Sequence, residues 1–281
     1  MDKALLQERI DELARRPMAL SPMKVIARGR DIFMQDVGGF IGYTALVMFI
    51  YNIMPFLFSW FVPMRGDDDF GLKLYLIILY CCMFVLRFIG PALHSGWCWK
   101  AKLIDCNESQ GFMDYLFPVR NKLSSMFLVS LVVLLVVFPG YVIIEIVTIA
   151  LNISKIFIFH INFSSALDYT LVLIGYSLVP TILIGAPLFL FAPFFVLFYD
   201  MPLGAALKAS VRIGYRSWGR IWLLLLGIFL LNVVGVLALI VGVFATIAIS
   251  ACALYVAFAD NMGLNEAMPD EIDTIGADSN A

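Results

Sequence analysis

The run IWLLLLGIFLLNVVGVLALIVGVFATIAISACALYVAFA, from Ile221 to Ala259, decides the fold class. It holds no charged residue across 39 positions. As one helix it would be about 58 Å long at 1.5 Å per residue. Roughly 30 Å of hydrocarbon needs about 20 residues. The run is too long for one crossing and about right for two, with Gly235 and Gly242 bracketing the expected turn.

The rest of the chain follows suit. Of 281 residues, 62% are hydrophobic and 14% charged, and mean hydropathy is +0.93. A soluble domain is about 45–50% apolar and roughly 25% charged. That excess of apolar surface cannot be hidden in a soluble core of this size. Further apolar runs lie at Val37–Phe61, Leu72–Leu93, Leu123–Leu151 and Tyr169–Tyr199. With the final pair they predict an all-α, polytopic membrane protein of six transmembrane helices. The expected parts are an N-terminal amphipathic segment (1–36), a transmembrane domain (37–259) and an acidic, disordered tail (260–281).

Basic residues alternate from loop to loop. Lys3, Arg9, Arg15, Arg16, Lys24, Arg28 and Arg30 precede the first span. Lys100, Lys102, Arg120 and Lys122 follow the second, and Lys208, Arg212, Arg216 and Arg220 follow the fourth. The other side holds little more than Arg65 and Lys155. The positive-inside rule places both termini in the cytoplasm of a multi-pass inner-membrane protein. No signal-peptide pattern occurs in the first 36 residues, which carry 13 charges. Trp97, Trp99, Trp218 and Trp222 fall at the inner boundary, where an indole wants an apolar body and a wet N–H.

The inner segments read as cytoplasmic interfacial helices. Residues 3–16 put Leu6, Ile10 and Leu13 on one face. Pro22 is placed to open a helix through Gln35, Gly111–Lys122 forms another that Pro118 shortens, and Pro202 opens Leu203–Gly219. In the last, Leu207, Val211 and Tyr215 form a stripe flanked by Lys208, Arg212 and Arg216 and followed by Trp218. That layout suits a membrane surface bearing anionic lipid; the rival is docking on other segments such as helix 3–16. A shift of 180 residues sets Arg28 on Lys208 and Gly39 on Gly219. The implied unit is an interfacial helix plus a hairpin, three times over, though chance similarity between hydrophobic segments explains the same match.

Candidates for function are few. Pro180, Pro187 and Pro193 break the fourth span, making either a hinge or cavity wall or a static bend. Glu145 is the acidic residue well inside a span, near its outer end. Asn232 falls near the midplane, where hydrogen bonding between helices is the default. His94, Cys98 and Cys106 share one inner loop with Asp105 and Glu108 but match no metal-binding motif. Asp67, Asp68 and Asp69 form a solvated turn or hold a cation, and Asn152 and Asn162 begin glycosylation-type triplets. No catalytic residue, cofactor site or metal site is assigned, and the net charge of −2 speaks against nucleic acid.

Two stretches carry a family resemblance. GPALHSGWCWKAKLIDCNESQGFMDYLF (Gly90–Phe117) and APFFVLFYDMPLGAALKASVRIGYRSWGRIWLLLLG (Ala192–Gly227) share one plan. A proline-closed span leads into an inner helix, then an aromatic–basic stretch, then the next span. The plan resembles the bacterial six-helix membrane proteins grouped with the membrane domain of glycerophosphodiester phosphodiesterases. The resemblance implies a six-helix inner-membrane protein and supplies no catalytic residue. The expected function is a non-enzymatic scaffold or complex subunit, partnered by the lipid bilayer, anionic lipids and other membrane proteins. The alternative is a small transporter or channel built around the broken fourth span.

Overall fold

The computed structural model describes residues 3–61, 89–108, 111–133 and 185–264, with the side chains of 3, 4, 52–61 and 239–241 left aside. Glu145, Pro180, Asp67–Asp69, Asn152, Asn162 and the tail beyond Leu264 lie outside the described residues. All regular structure among the described residues is helical. The helices are α1 (Lys3–Arg15), α2 (Pro22–Gln35), α3 (Val37–Phe61), α4 (89–105), α5 (Phe117–Asn121), α6 (123–133), α7 (185–189), α8 (Ala192–Tyr199), α9 (Leu203–Arg216), α10 (Trp218–Leu237) and α11 (Leu239–Met262). A 3₁₀ turn, Phe112–Leu116, precedes α5.

The apolar run Ile221–Ala259 is a hairpin. Its break is at Ala238, and Gly235 and Gly242 face each other across it. A Cβ on Gly235 would meet the Thr246 side chain and lie 3.0 Å from the Gly242 carbonyl oxygen. Glycine is required there because the two backbones nearly touch. Two helices, Trp218–Leu237 and Gly242–Met262, are long and apolar enough to cross a membrane. The count rises to four if each of two bent pairs is one span, but those pairs bend by 98° and 64°.

These bends belong to a repeated pattern. Three times, a helix ends, one residue leaves helical geometry, and an apolar helix begins. The three hinges are Asp36 (φ −143°, ψ 55°), Lys122 (φ −126°, ψ 11°) and Ser217 (φ −102°, ψ 12°). Each hinge carbonyl accepts the first bond of the next helix: from Phe40 N at 3.0 Å, Met126 N at 2.9 Å and Ile221 N at 2.9 Å. Three other helices also end alike. α4, α8 and α11 are closed by left-handed residues, Asn107 (φ 56°), Asp200 (φ 52°) and Gly263 (φ 66°). Asn, Asp and Gly are the residues that tolerate this conformation. Past each cap an amide reaches back: Glu108 N to Leu103 O at 2.7 Å, Met201 N to Phe195 O at 3.4 Å, and Leu264 N to Ala259 O at 3.1 Å. Among the described residues this pattern of hinge and left-handed cap thus occurs three times. From hinge to hinge its register is one residue longer than the 180-residue shift.

One boundary differs from expectation. The second apolar run was to end at Leu93, closed by Pro91, with His94, Cys98 and Cys106 in a loop. Instead α4 carries the chain straight on through Asp105, so His94 and Cys98 are helical. Pro91 lies near the start of the described part of α4, and the Ser95 hydroxyl donates to its carbonyl at 2.6 Å.

The core centres on α11. It lies against α2, α3 and α10, and its buried residues include Ala248, Cys252, Ala253, Val256, Ala257 and Ala259. α2 crosses it most closely at Gly29, where a Cβ would come within 2.7 Å of the Ala253 nitrogen. The aromatic side chains of Phe191, Phe194, Phe195 and Phe258 fill the space between α8 and α11.

Candidate functional site

The hinges sit at one end of the molecule, and polar side chains gather around them. Around Asp36, one carboxylate oxygen caps α3 by accepting from Gly39 N at 3.0 Å. The other accepts from the Tyr115 hydroxyl at 3.3 Å and lies 3.6 Å from Lys100 Nζ. Lys100 is 1% exposed. Its ammonium donates to Gly111 O at 2.8 Å and to Asp114 Oδ2 at 3.0 Å. A buried ammonium is tolerable only when it is bonded in this way. Burial, and then the Asp36 carboxylate, hold the Tyr115 phenol well above its ordinary pKa, so it stays a donor.

The other two hinges are tied differently. Lys122 pairs with Asp200, the left-handed cap of α8. The Ser217 hydroxyl accepts from Met18 N at 2.9 Å, while Arg220 donates to Met18 O at 2.6 Å. Ala19 N donates to Asn261 Oδ1 at 2.8 Å. The link between α1 and α2 is thus clamped beneath the last hairpin. Between units, Arg28 of α2 reaches both Asp105 of α4 (3.0 Å) and Asp260 of α11. Tyr255 donates to the same Asp105 at 3.0 Å.

The predicted site residues disperse over this frame. Pro187 lies in α7 and Pro193 in the first turn of α8, and the helix is interrupted at Leu190–Phe191 between them. Asn232 donates to Ile228 O and to Ser250 Oγ of α11, both at 2.9 Å, so it bonds across the hairpin. Lys208 and Arg216 are exposed, while Arg212 pairs with Asp11 of α1 at 2.6 Å. Trp218 is 45% exposed and meets Trp222 edge-on. Trp97 is turned into the protein rather than outward. It is buried, and its N–H donates to Thr44 Oγ1 at 3.1 Å. A protein hydroxyl replaces the water or headgroup that its indole needed.

α9 has two distinct faces. Its small side, with Ala206, Ala209, Ser210, Ile213 and Gly214, is buried. Ser210 donates to Leu188 O at 2.7 Å, and Gly214 packs on Pro187 and Leu188 of α7. The stripe singled out in the sequence is not what docks. Leu207 and Val211 are half-buried and Tyr215 is 79% exposed. α1 lies beside α9, with Leu6 and Ile10 buried as the helical pattern predicts.

The His94–Cys98–Cys106 group does not assemble. The Cys98 thiol donates to Ala251 O at 3.5 Å, Asp105 is engaged by Arg28 and Tyr255, and burial pushes the Cys106 thiol up. Among the described residues no three His, Cys, Asp or Glu side chains converge as a metal site requires. Sequence reasoning missed Asp36, Lys100 and Asp114, which were visible only as ordinary loop charges. No protein-family model, curated protein or solved structure matches the chain.

Proposed function

We propose that the protein is a six-helix inner-membrane scaffold, built from three repeats, whose hinge end faces the cytoplasm and binds anionic lipid. The observation that carries this reading is the division of α9. Its small-residue face is spent on α7, and its aromatic–basic face is left open. The open face carries Tyr215 and Trp218 beside Lys208 and Arg216, and neither cation has a carboxylate partner among the described residues. That is the chemistry of a helix lying along a headgroup layer. Arg212 is already neutralised by Asp11 and adds little. The polar ties at the hinges join segments to one another, which suits a rigid platform. A resemblance to the membrane domain of glycerophosphodiester phosphodiesterases, read from the sequence alone, would imply the same plan.

Each basic residue near an anionic surface is worth about 1 kcal/mol, so Lys208 and Arg216 together supply roughly 2 kcal/mol at low salt. The test is retention of phosphatidylglycerol by the full chain in mild detergent. The double variant Lys208→Gln/Arg216→Gln is expected to lower it by more than tenfold, and Arg212→Gln much less. Equal retention by wild type and double variant would refute the lipid-surface role. The interruption between Pro187 and Pro193 favours a second reading, a small transporter pivoting there. Substrate flux in vesicles that disappears on removing either proline would favour it over the scaffold.

A further inference from the structure

We infer that a cavity between α4, the α7–α8 segment and α11 holds one acyl chain of an anionic phospholipid, with Lys102 meeting its phosphate. This rests on the membrane reading above and names a ligand for a different part of the molecule from α9. The cavity measures about 280 Å³ and is half-open. Pro91, Cys98, Leu190, Phe194, Ile247 and Leu254 supply most of its wall. A dry cavity of about 150 Å³ suffices for benzene, so this one has room for several methylenes of a chain.

The polar atoms of the lining explain why the occupant is hydrocarbon. Ser95 donates to Pro91 O at 2.6 Å, Ser250 donates to Thr246 O at 2.6 Å, and Cys98 donates to Ala251 O. Each of these donors is turned onto backbone of its own or a neighbouring helix. A polar solute entering here would lose its water and gain little in return. An acyl chain loses nothing, because hydrocarbon is the surrounding solvent. The His94 ring, also part of the lining, is stacked between Tyr51 and Trp97.

The headgroup end is set by helix geometry. Lys102 lies four residues after Cys98 on the same stripe of α4, about 6 Å nearer the hinge end. Its ammonium sits 5.0 Å from the Trp99 ring centre and 5.8 Å from that of Phe198. Among the described residues it has no carboxylate partner. An aromatic cradle fixes the cation and leaves its charge to be matched by an anion. The apolar cavity towards the hairpin turn and the cation towards the hinges follow the polarity of one phospholipid in the cytoplasmic leaflet.

The test uses the full chain in mild detergent. It is given phosphatidylglycerol or phosphatidylcholine with a diazirine midway along one acyl chain, and adducts are mapped after irradiation. Phosphatidylglycerol adducts are expected on residues 89–105 and 185–199. Leu190→Trp, which fills the cavity, is expected to abolish them, and Ala251→Phe reads the same if Leu190→Trp does not fold. Lys102→Gln is expected to reduce them about fivefold, the equivalent of one basic residue at an anionic surface, and to leave phosphatidylcholine unchanged. Adducts on Phe229 and Leu230 of α10 report insertion in detergent and lipid. Without them the membrane reading itself fails. With them, an unlabelled cavity or cavity labelling that survives both filling variants overturns the acyl-chain site. Equal labelling by the two lipids that Lys102→Gln leaves alone overturns the role of Lys102.

Discussion

α10 and α11 are the two arms of one hairpin and are almost equally apolar, with mean hydropathies of 2.3 and 2.0. Yet 17% of the apolar window of α10 is buried, against 56% for α11. Part of the difference is side-chain size: α11 buries a row of small residues beside the large Tyr255, Phe258 and Met262. α10 presents Leu223, Leu226, Phe229, Leu230 and Val234 outward, each at least half exposed. α11 turns Ala248, Cys252, Ala253, Ala257 and Ala259 inward. In hydrocarbon there is no hydrophobic gain from pairing two helices, so association depends on close packing and hydrogen bonds. Small residues allow backbones to approach; large ones suit contact with lipid.

This contrast predicts how substitutions should rank. The largest effect is expected at the centre of α11's packing. In Gly29→Val the new Cβ would lie 2.7 Å from Ala253 N and 2.9 Å from Ala253 Cα. Both are backbone atoms and cannot swing aside. Overpacking of this kind costs 1–3 kcal/mol or more, so a cost of about 3 kcal/mol or above is expected, read as a lowered melting temperature in detergent and a loss of membrane abundance. Wild-type melting would show that the α2–α11 crossing is dispensable.

A smaller effect is expected where the two arms meet. Asn232→Val removes the bond to Ser250. Interhelical bonds in membranes average about 0.6 kcal/mol and reach about 1.7, so a loss near 1 kcal/mol is expected. A loss several times larger would mean that Asn232 serves more than this pair. The smallest effect is expected on the outer face of α10. Leu230→Ala, at a residue 55% exposed, should change stability by less than about 0.5 kcal/mol. A marked loss there would show that α10 is covered by a partner helix, and the contrast between the arms would then hold only for the isolated chain.

The same contrast explains what could be read in advance. The hairpin at Ile221–Ala259 was legible because length and apolarity are sums over neighbouring residues. The bounds of α3 were legible as the extent of an apolar run, and the helix starts at Pro22 and after Pro202 because proline acts locally. The docking face of α9 was not. Leu207, Val211 and Tyr215 are the more hydrophobic stripe, but Ala206, Ala209 and Gly214 are the residues that let α7 approach. Nor was the length of α4, since Pro91 reads as a helix boundary, yet a proline disturbs only the turn before it and allows helix beyond it.

The sequence by itself determined the helical class, the membrane-crossing length of the last two helices and the positions of several helix starts. Each follows from composition and backbone chemistry within a few residues. Only the tertiary structure decided that Trp97 is buried against Thr44, that Lys100 is held between Asp114 and Asp36, and that Arg28 joins Asp105 to Asp260. Those partners lie on different helices, and a polar group leaving water takes whichever donor or acceptor the packing brings within about 3 Å. Hydropathy cannot choose between two apolar faces. Backbone proximity can, and it exists only once the helices have packed.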